Sequence, residues 1–140
     1  MATTYLNMTP SSEGNRKTWT FSTWFKVGNI TSGAFFTAGA SGQDEMTLRL
    51  QESGGAFSID WQLFKVSNSS TIGRLITNRE FKDPAAWYHL VCRYDSTNST
   101  AGDRMRMYIN GIEETSFSTD TNPSLNYDSM VNNTVIHNIG

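Results

Sequence analysis

Trp24, Arg49, Asp60, Trp61 and Gln62 are the residue types that carbohydrate recognition would use. An indole face packs against the C–H face of a pyranose ring, while a carboxylate, an amide and a guanidinium read hydroxyls in pairs. The competing reading places both tryptophans in a core, where an aromatic on an alternating strand belongs. Cleaving a glycosidic bond asks for more, namely two carboxylates about 5 to 5.5 Å apart in a retaining enzyme. On a strand that means acidic residues two positions apart, so that both side chains leave one face. The chain offers instead Asp44-Glu45 and Glu113-Glu114, adjacent pairs that point to opposite faces, so no catalytic residue is assigned and a non-catalytic role is expected. His89 and His137 stand apart from any cysteine or serine arrangement, and a strand histidine making one hydrogen bond is the expectation for each. No zinc or phosphate motif is present.

The elements that must position these residues are strands, because the main pattern is alternation with period two. Trp19, Phe21, Phe25 and Val27 form one face of a first strand, with Trp24 breaking the pattern. Asn29 to Gly33 reads as a turn, Ala34 to Ala38 as a short strand buried on both faces, and Gly39 to Asp44 as a loop. Met46, Leu48 and Leu50 then alternate with polar neighbours, and Ser53-Gly54-Gly55 turns the chain into a return strand carrying Phe57, Ile59, Trp61 and Leu63. Arg74 to Thr77 and Trp87 to Tyr94 are further strands, the latter bulky on both faces and therefore central. Met105, Met107 and Ile109 lead into Asn110-Gly111, a strong hairpin signal, with Ile112 to Phe117 as the return. Ser118 to Asn133 is polar and without period, which predicts a loop, and Val135 to Ile139 ends the chain as a strand.

These short strands, with turn signals every ten or so residues, predict an all-β fold, an antiparallel two-sheet jelly-roll sandwich formed by one domain over residues 1–140. The length of 140 residues suits one core. A formal charge of -2 without runs of either sign gives no electrostatic footprint for nucleic acid or an anionic membrane. Ser, Thr and Asn make up roughly a third of the chain, against 17% charged residues, so the surface is neutral and hydroxyl-rich, as on many extracellular proteins and virus particles. Cys92, the one cysteine, lies in an apolar run and reads as a small buried hydrophobe. No apolar stretch approaches the roughly 20 residues that span a bilayer, and no membrane insertion is expected.

Thr18-Trp19-Thr20-Phe21-Ser22-Thr23-Trp24-Phe25-Lys26, and Trp87-Tyr88-His89-Leu90-Val91 running on through Tyr94-Asp95 to Met107-Tyr108-Ile109-Asn110-Gly111, resemble the laminin-G-like jelly-roll modules of the concanavalin A-like lectin and glucanase superfamily. The resemblance runs from about Tyr5 to Asn138. The opening from Tyr5-Leu6 through Pro10-Ser11-Ser12-Glu13-Gly14-Asn15-Arg16-Lys17-Thr18-Trp19 is similar to modules of marine tailed bacteriophages, where they occur in virion structural or fibre proteins. The resemblance implies a virion surface module, capsid decoration or fibre, that meets other virion proteins or copies of itself and host-surface glycans. The alternative it implies is a secreted, calcium-dependent glycan-binding or adhesion domain. No cofactor is fixed by the sequence, but calcium is the one the family suggests, with Asp95 and Asp103 as candidate metal ligands on a polar loop and Asp120 and Asp128 in a second. Scattered loop aspartates also serve as plain turn caps. Members of the family usually continue past a segment like His137-Asn138-Ile139-Gly140 into a further strand near the N-terminal one, so a missing final strand, or one supplied by a neighbouring chain, is expected.

Overall fold

The computed structural model describes residues 5–28, 32–39 and 42–140. The first three residues of the expected turn at Asn29 to Gly33, and part of the loop from Gly39 to Asp44, lie outside the described residues. The strands are β1 (Leu6–Met8), β2 (Thr18–Phe25), β3 (Gly33–Ala38), β4 (Glu45–Ser53), β5 (Ala56–Lys65), β6 (Ser70–Thr77), β7 (Tyr88–Asp95), β8 (Met105–Ile109), β9 (Ile112–Glu114), β10 (Phe117–Thr121) and β11 (His137–Ile139). They form a seven-stranded sheet in the order β1-β11-β3-β4-β5-β6-β10 and a four-stranded sheet in the order β2-β7-β8-β9. All pairings are antiparallel, which gives the jelly-roll sandwich that the alternation predicts.

Alternation decides which side chains face inward. Met46, Leu48 and Leu50 of β4 and Ile59, Trp61 and Leu63 of β5 are buried, and so are Leu90, Cys92 and Tyr94 of β7 and Met105, Met107 and Ile109 of β8. Aromatic rings join the layers: Trp19 of β2 stacks on Tyr94 at 5.2 Å and meets Trp61 of the opposite sheet edge-on at 5.7 Å. Phe21 of β2 stacks on Phe36 of β3 at 5.1 Å, again across the sandwich. Such pairs add roughly 0.5 to 1.5 kcal/mol each beyond the area they bury, so the tryptophans and phenylalanines set how the two sheets face each other. Phe81 closes one side of the core, packed against both Phe25 and Tyr88.

The hairpins follow turn chemistry. Asn110 and Gly111 both take positive φ, 52° and 78°, the backbone that joins β8 to β9 with the twist of the strands. Two expectations are corrected. The return strand after Gly111 stops at Glu114, and Phe117 begins β10, which crosses to pair with β6 in the other sheet. The polar segment from Ser118 thus starts in a strand rather than a loop; β10 is an edge with one large apolar residue, Phe117, so its sequence shows no period. The last strand, β11, lies between β3 and β1 and pairs with the N-terminal strand through Leu6↔Ile139, Asn7↔Asn138 and Met8↔His137.

Candidate functional site

The residues expected to form one sugar site are divided by the fold. Arg49 on β4 and Asp60 on β5 are cross-strand partners, and Gln62 is the partner of Arg74 on β6. All four project from the outer face of the seven-stranded sheet. Trp61, lying between Asp60 and Gln62 on a pleated strand, must project the other way, and it is fully buried against Trp19. Trp61 is therefore core, which corrects its assignment as a ligand platform: three consecutive strand residues cannot share a face.

Asp60 is closed to ligand as well. Arg49 donates from Nε at 3.0 Å and from its terminal nitrogen at 2.8 Å to Oδ2. Arg74 donates at 2.9 Å to each carboxylate oxygen. With its side chain 1% exposed, Asp60 has four charge-assisted bonds and no free oxygen to offer. Burial pushes its pKa up, but the bonds and charge of Arg74 and Arg49 outweigh that and hold the carboxyl below the usual range. Arg74, which sequence reasoning missed, completes this knot; only the β5–β6 register brings it there. Gln62 bonds Thr71 at 3.4 Å.

The two candidate metal ligands have partners within the protein. Asp95 caps its own turn, accepting from the Thr97 hydroxyl at 2.6 Å and the Thr97 amide at 3.2 Å, and its second oxygen takes Arg93 at 3.0 Å. The Thr97 bond is the leading cause of its lowered pKa. Asp103 is paired with Arg106. Each carboxylate is thus neutralised by an arginine that a calcium ion would have to displace, and among the described residues no three His, Cys, Asp or Glu side chains converge on a point.

Trp24 lies elsewhere, on the outer face of the four-stranded sheet. In the β2–β7 register it is the Cα partner of His89, and their rings stack at 4.8 Å and 27°. Ser22, two residues earlier on the same face, shares a hydrogen bond of 2.9 Å with His89 Nε2. The His89 amide donates to Asn110 Oδ1 at 2.8 Å, which ties the strand to the β8–β9 turn. Just beyond the strands, the Lys26 ammonium sits 5.0 Å from the centre of the Trp87 ring. Trp24 is 62% and Trp87 59% exposed, so two indoles stand open beside a hydroxyl, an imidazole and a cation. The alternation rule marked Trp24 only as an exception; Trp87 and Lys26 carried no site signal in the sequence.

The adjacent acids of β9 are both held by arginines. Glu113 points outward to Arg106 at 3.1 Å, while Glu114 points inward and is held by Arg79 at 2.6 Å. The adjacent acids diverge as strand geometry requires. Around Trp24 the face offers ring stacking and hydrogen bonds.

A family model described as the concanavalin A-like lectin/glucanases superfamily matches residues 1–134. The chain belongs to this superfamily. Among solved structures, the mouse laminin alpha1 chain, domains LG4-5, is similar with a TM-score of 0.58 and 15% sequence identity. The match covers 95% of this chain and 31% of that one, so the chain spans about a third of the laminin structure and the likeness concerns the fold. No curated protein matches. The fold is thus the laminin-G-like form of the concanavalin A-like lectin/glucanase superfamily, and no helix among the described residues is long and apolar enough to cross a membrane.

Proposed function

We propose that the chain is a non-catalytic surface module of a tailed-bacteriophage virion, capsid decoration or fibre, that binds host-surface glycans through Trp24 and its neighbours. One observation carries the binding half of this reading: a tryptophan 62% exposed, backed by a stacked imidazole and flanked by Ser22, in the open face of a sheet. One face of the Trp24 ring rests on His89 and the rest is open, and stacked on a sugar ring that open surface is buried while the hydroxyls around it exchange water for Ser22 and Lys26. The virion half rests on the resemblance of the segment Tyr5 to Trp19 and on the neutral, hydroxyl-rich composition, and there the partners are other virion proteins or further copies of the chain. A secreted adhesion domain is the second reading, supported by the laminin likeness in fold and placed outside the cell. In that case adhesion is independent of calcium, because arginines hold Asp95 and Asp103.

Two experiments separate the halves. Glycan-array binding by the purified chain, lost by at least tenfold on Trp24→Ala and unchanged on adding a calcium chelator, supports the ligand site. Binding that Trp24→Ala leaves intact removes it. Mass spectrometry of purified particles that finds no peptide of this chain ends the virion assignment while leaving the glycan site standing.

A further inference from the structure

At one side of the sandwich the sheets are out of step. Phe36, Ile139 and Leu6 are successive Cα partners across β3, β11 and β1, so their side chains leave the same face. Phe36 meets Phe21 of the opposite sheet, and that face is the inner one. Yet Leu6 is 74%, Met8 61% and Ile139 52% exposed, because β2 is the last strand of its sheet and the seven-stranded sheet runs past it. Between the overhang and β2 lies a groove of about 520 Å³, lined by Leu6, Met8, Trp19, Phe21, Phe36 and Ile139 among others, with no Asp, Glu, Lys or Arg in its lining. Among the described residues β1 pairs with β11 alone and β2 with β7 alone, so both strands that border the groove are edges of the described sheets.

We propose that this step is the contact of a two-fold dimer, in which the overhang of each copy covers the recess of the other. An isologous interface brings each surface onto itself, so it must be self-complementary in shape and cannot carry one sign of charge. An apolar overhang beside an apolar recess, without Asp, Glu, Lys or Arg, meets both conditions. A small apolar ligand would cover Leu6 and Met8 but leave the β2 edge without hydrogen-bond partners, whereas the β1 edge of a second copy supplies them. The step is small, two strands of three residues beside an edge of eight. It falls short of the roughly 800 Å² per partner typical of stable complexes, so the dimer is a weak one, formed at high concentration or in an assembly where copies are held close. The contact is separate from the glycan site: Trp24 leaves β2 on the opposite face and stays open.

Sedimentation equilibrium from about 10 μM to about 1 mM tests this, a span suited to a weak interface. The weight-average mass is expected to rise from 15.7 kDa toward twice that value. The double substitution Leu6→Asp, Met8→Asp is expected to weaken association at least tenfold with an unchanged melting temperature, since both side chains are exposed. Ile139→Asp provides the same test from the neighbouring strand. Hydrogen exchange of the wild-type amides of Thr20, Ser22 and Trp24 is expected to slow as concentration rises. A wild-type chain that stays at monomer mass at about 1 mM, or substituted chains that associate as well as wild type, would overturn the dimer.

Discussion

The outer face of the seven-stranded sheet and the outer face of the four-stranded sheet carry similar side chains and do opposite things with them. On the first, Arg49, Asp60 and Arg74 satisfy one another so fully that the carboxylate is 1% exposed. On the second, Trp24 and Trp87 remain more than half exposed, backed only by His89 and Lys26. The difference is one of neighbours. A charge with partners on both adjacent strands is spent on holding three strands in register, and an indole at β2, an edge strand, has a single neighbour strand and keeps its face for something else. Polar residues that look like a reader of ligands can be a structural clamp, and an aromatic that breaks the pattern can be the reader.

Substitutions sharpen that contrast, and the largest effect is expected where neither face is involved. Trp61→Ala empties the middle of the core and should cost about 4 kcal/mol of unfolding free energy in urea titration, with loss of sugar binding only through unfolding. Asp60→Asn comes next. It leaves two guanidiniums facing each other, and since these are 41% and 27% exposed the loss should be about 2 kcal/mol, less than for a fully buried pair. Because the folded-state pKa of Asp60 lies below its ordinary 3.8, its contribution is complete above that pH and fades as pH falls through the folded value. The stability gap between wild type and Asp60→Asn should therefore close on acidification below about pH 4, and a gap constant down to pH 2 would contradict the clamp. Arg49→Met should cost about 1 kcal/mol, as Arg74 still holds both carboxylate oxygens. Trp24→Ala should change stability by less than about 0.5 kcal/mol while removing glycan binding, the reverse of the pattern at Trp61.

The sandwich was legible wherever one face of a strand is dry and the other wet. Met46-Leu48-Leu50 and Ile59-Trp61-Leu63 announce both their strands and their inward face, because period two is imposed by the pleat itself. β1 and β10 were not legible, since edge strands of three and five residues bury too little to leave a pattern. The site was legible only in part. Trp24 was named, but the Asp60-Trp61-Gln62 grouping ignored the rule that neighbours on a strand diverge. Arg74, Trp87, Lys26 and His89 join their clusters through cross-strand register, which one sequence does not display.

The most direct measurement is a two-dimensional ¹H–¹⁵N NMR titration of the folded chain with a glycan that it binds. Shifts concentrated on Ser22, Trp24, Lys26, Trp87 and His89, with the Trp24 indole resonance moving furthest, are the predicted result. Shifts concentrated on Arg49, Asp60, Gln62 and Arg74, with Trp24 unmoved, would contradict the account.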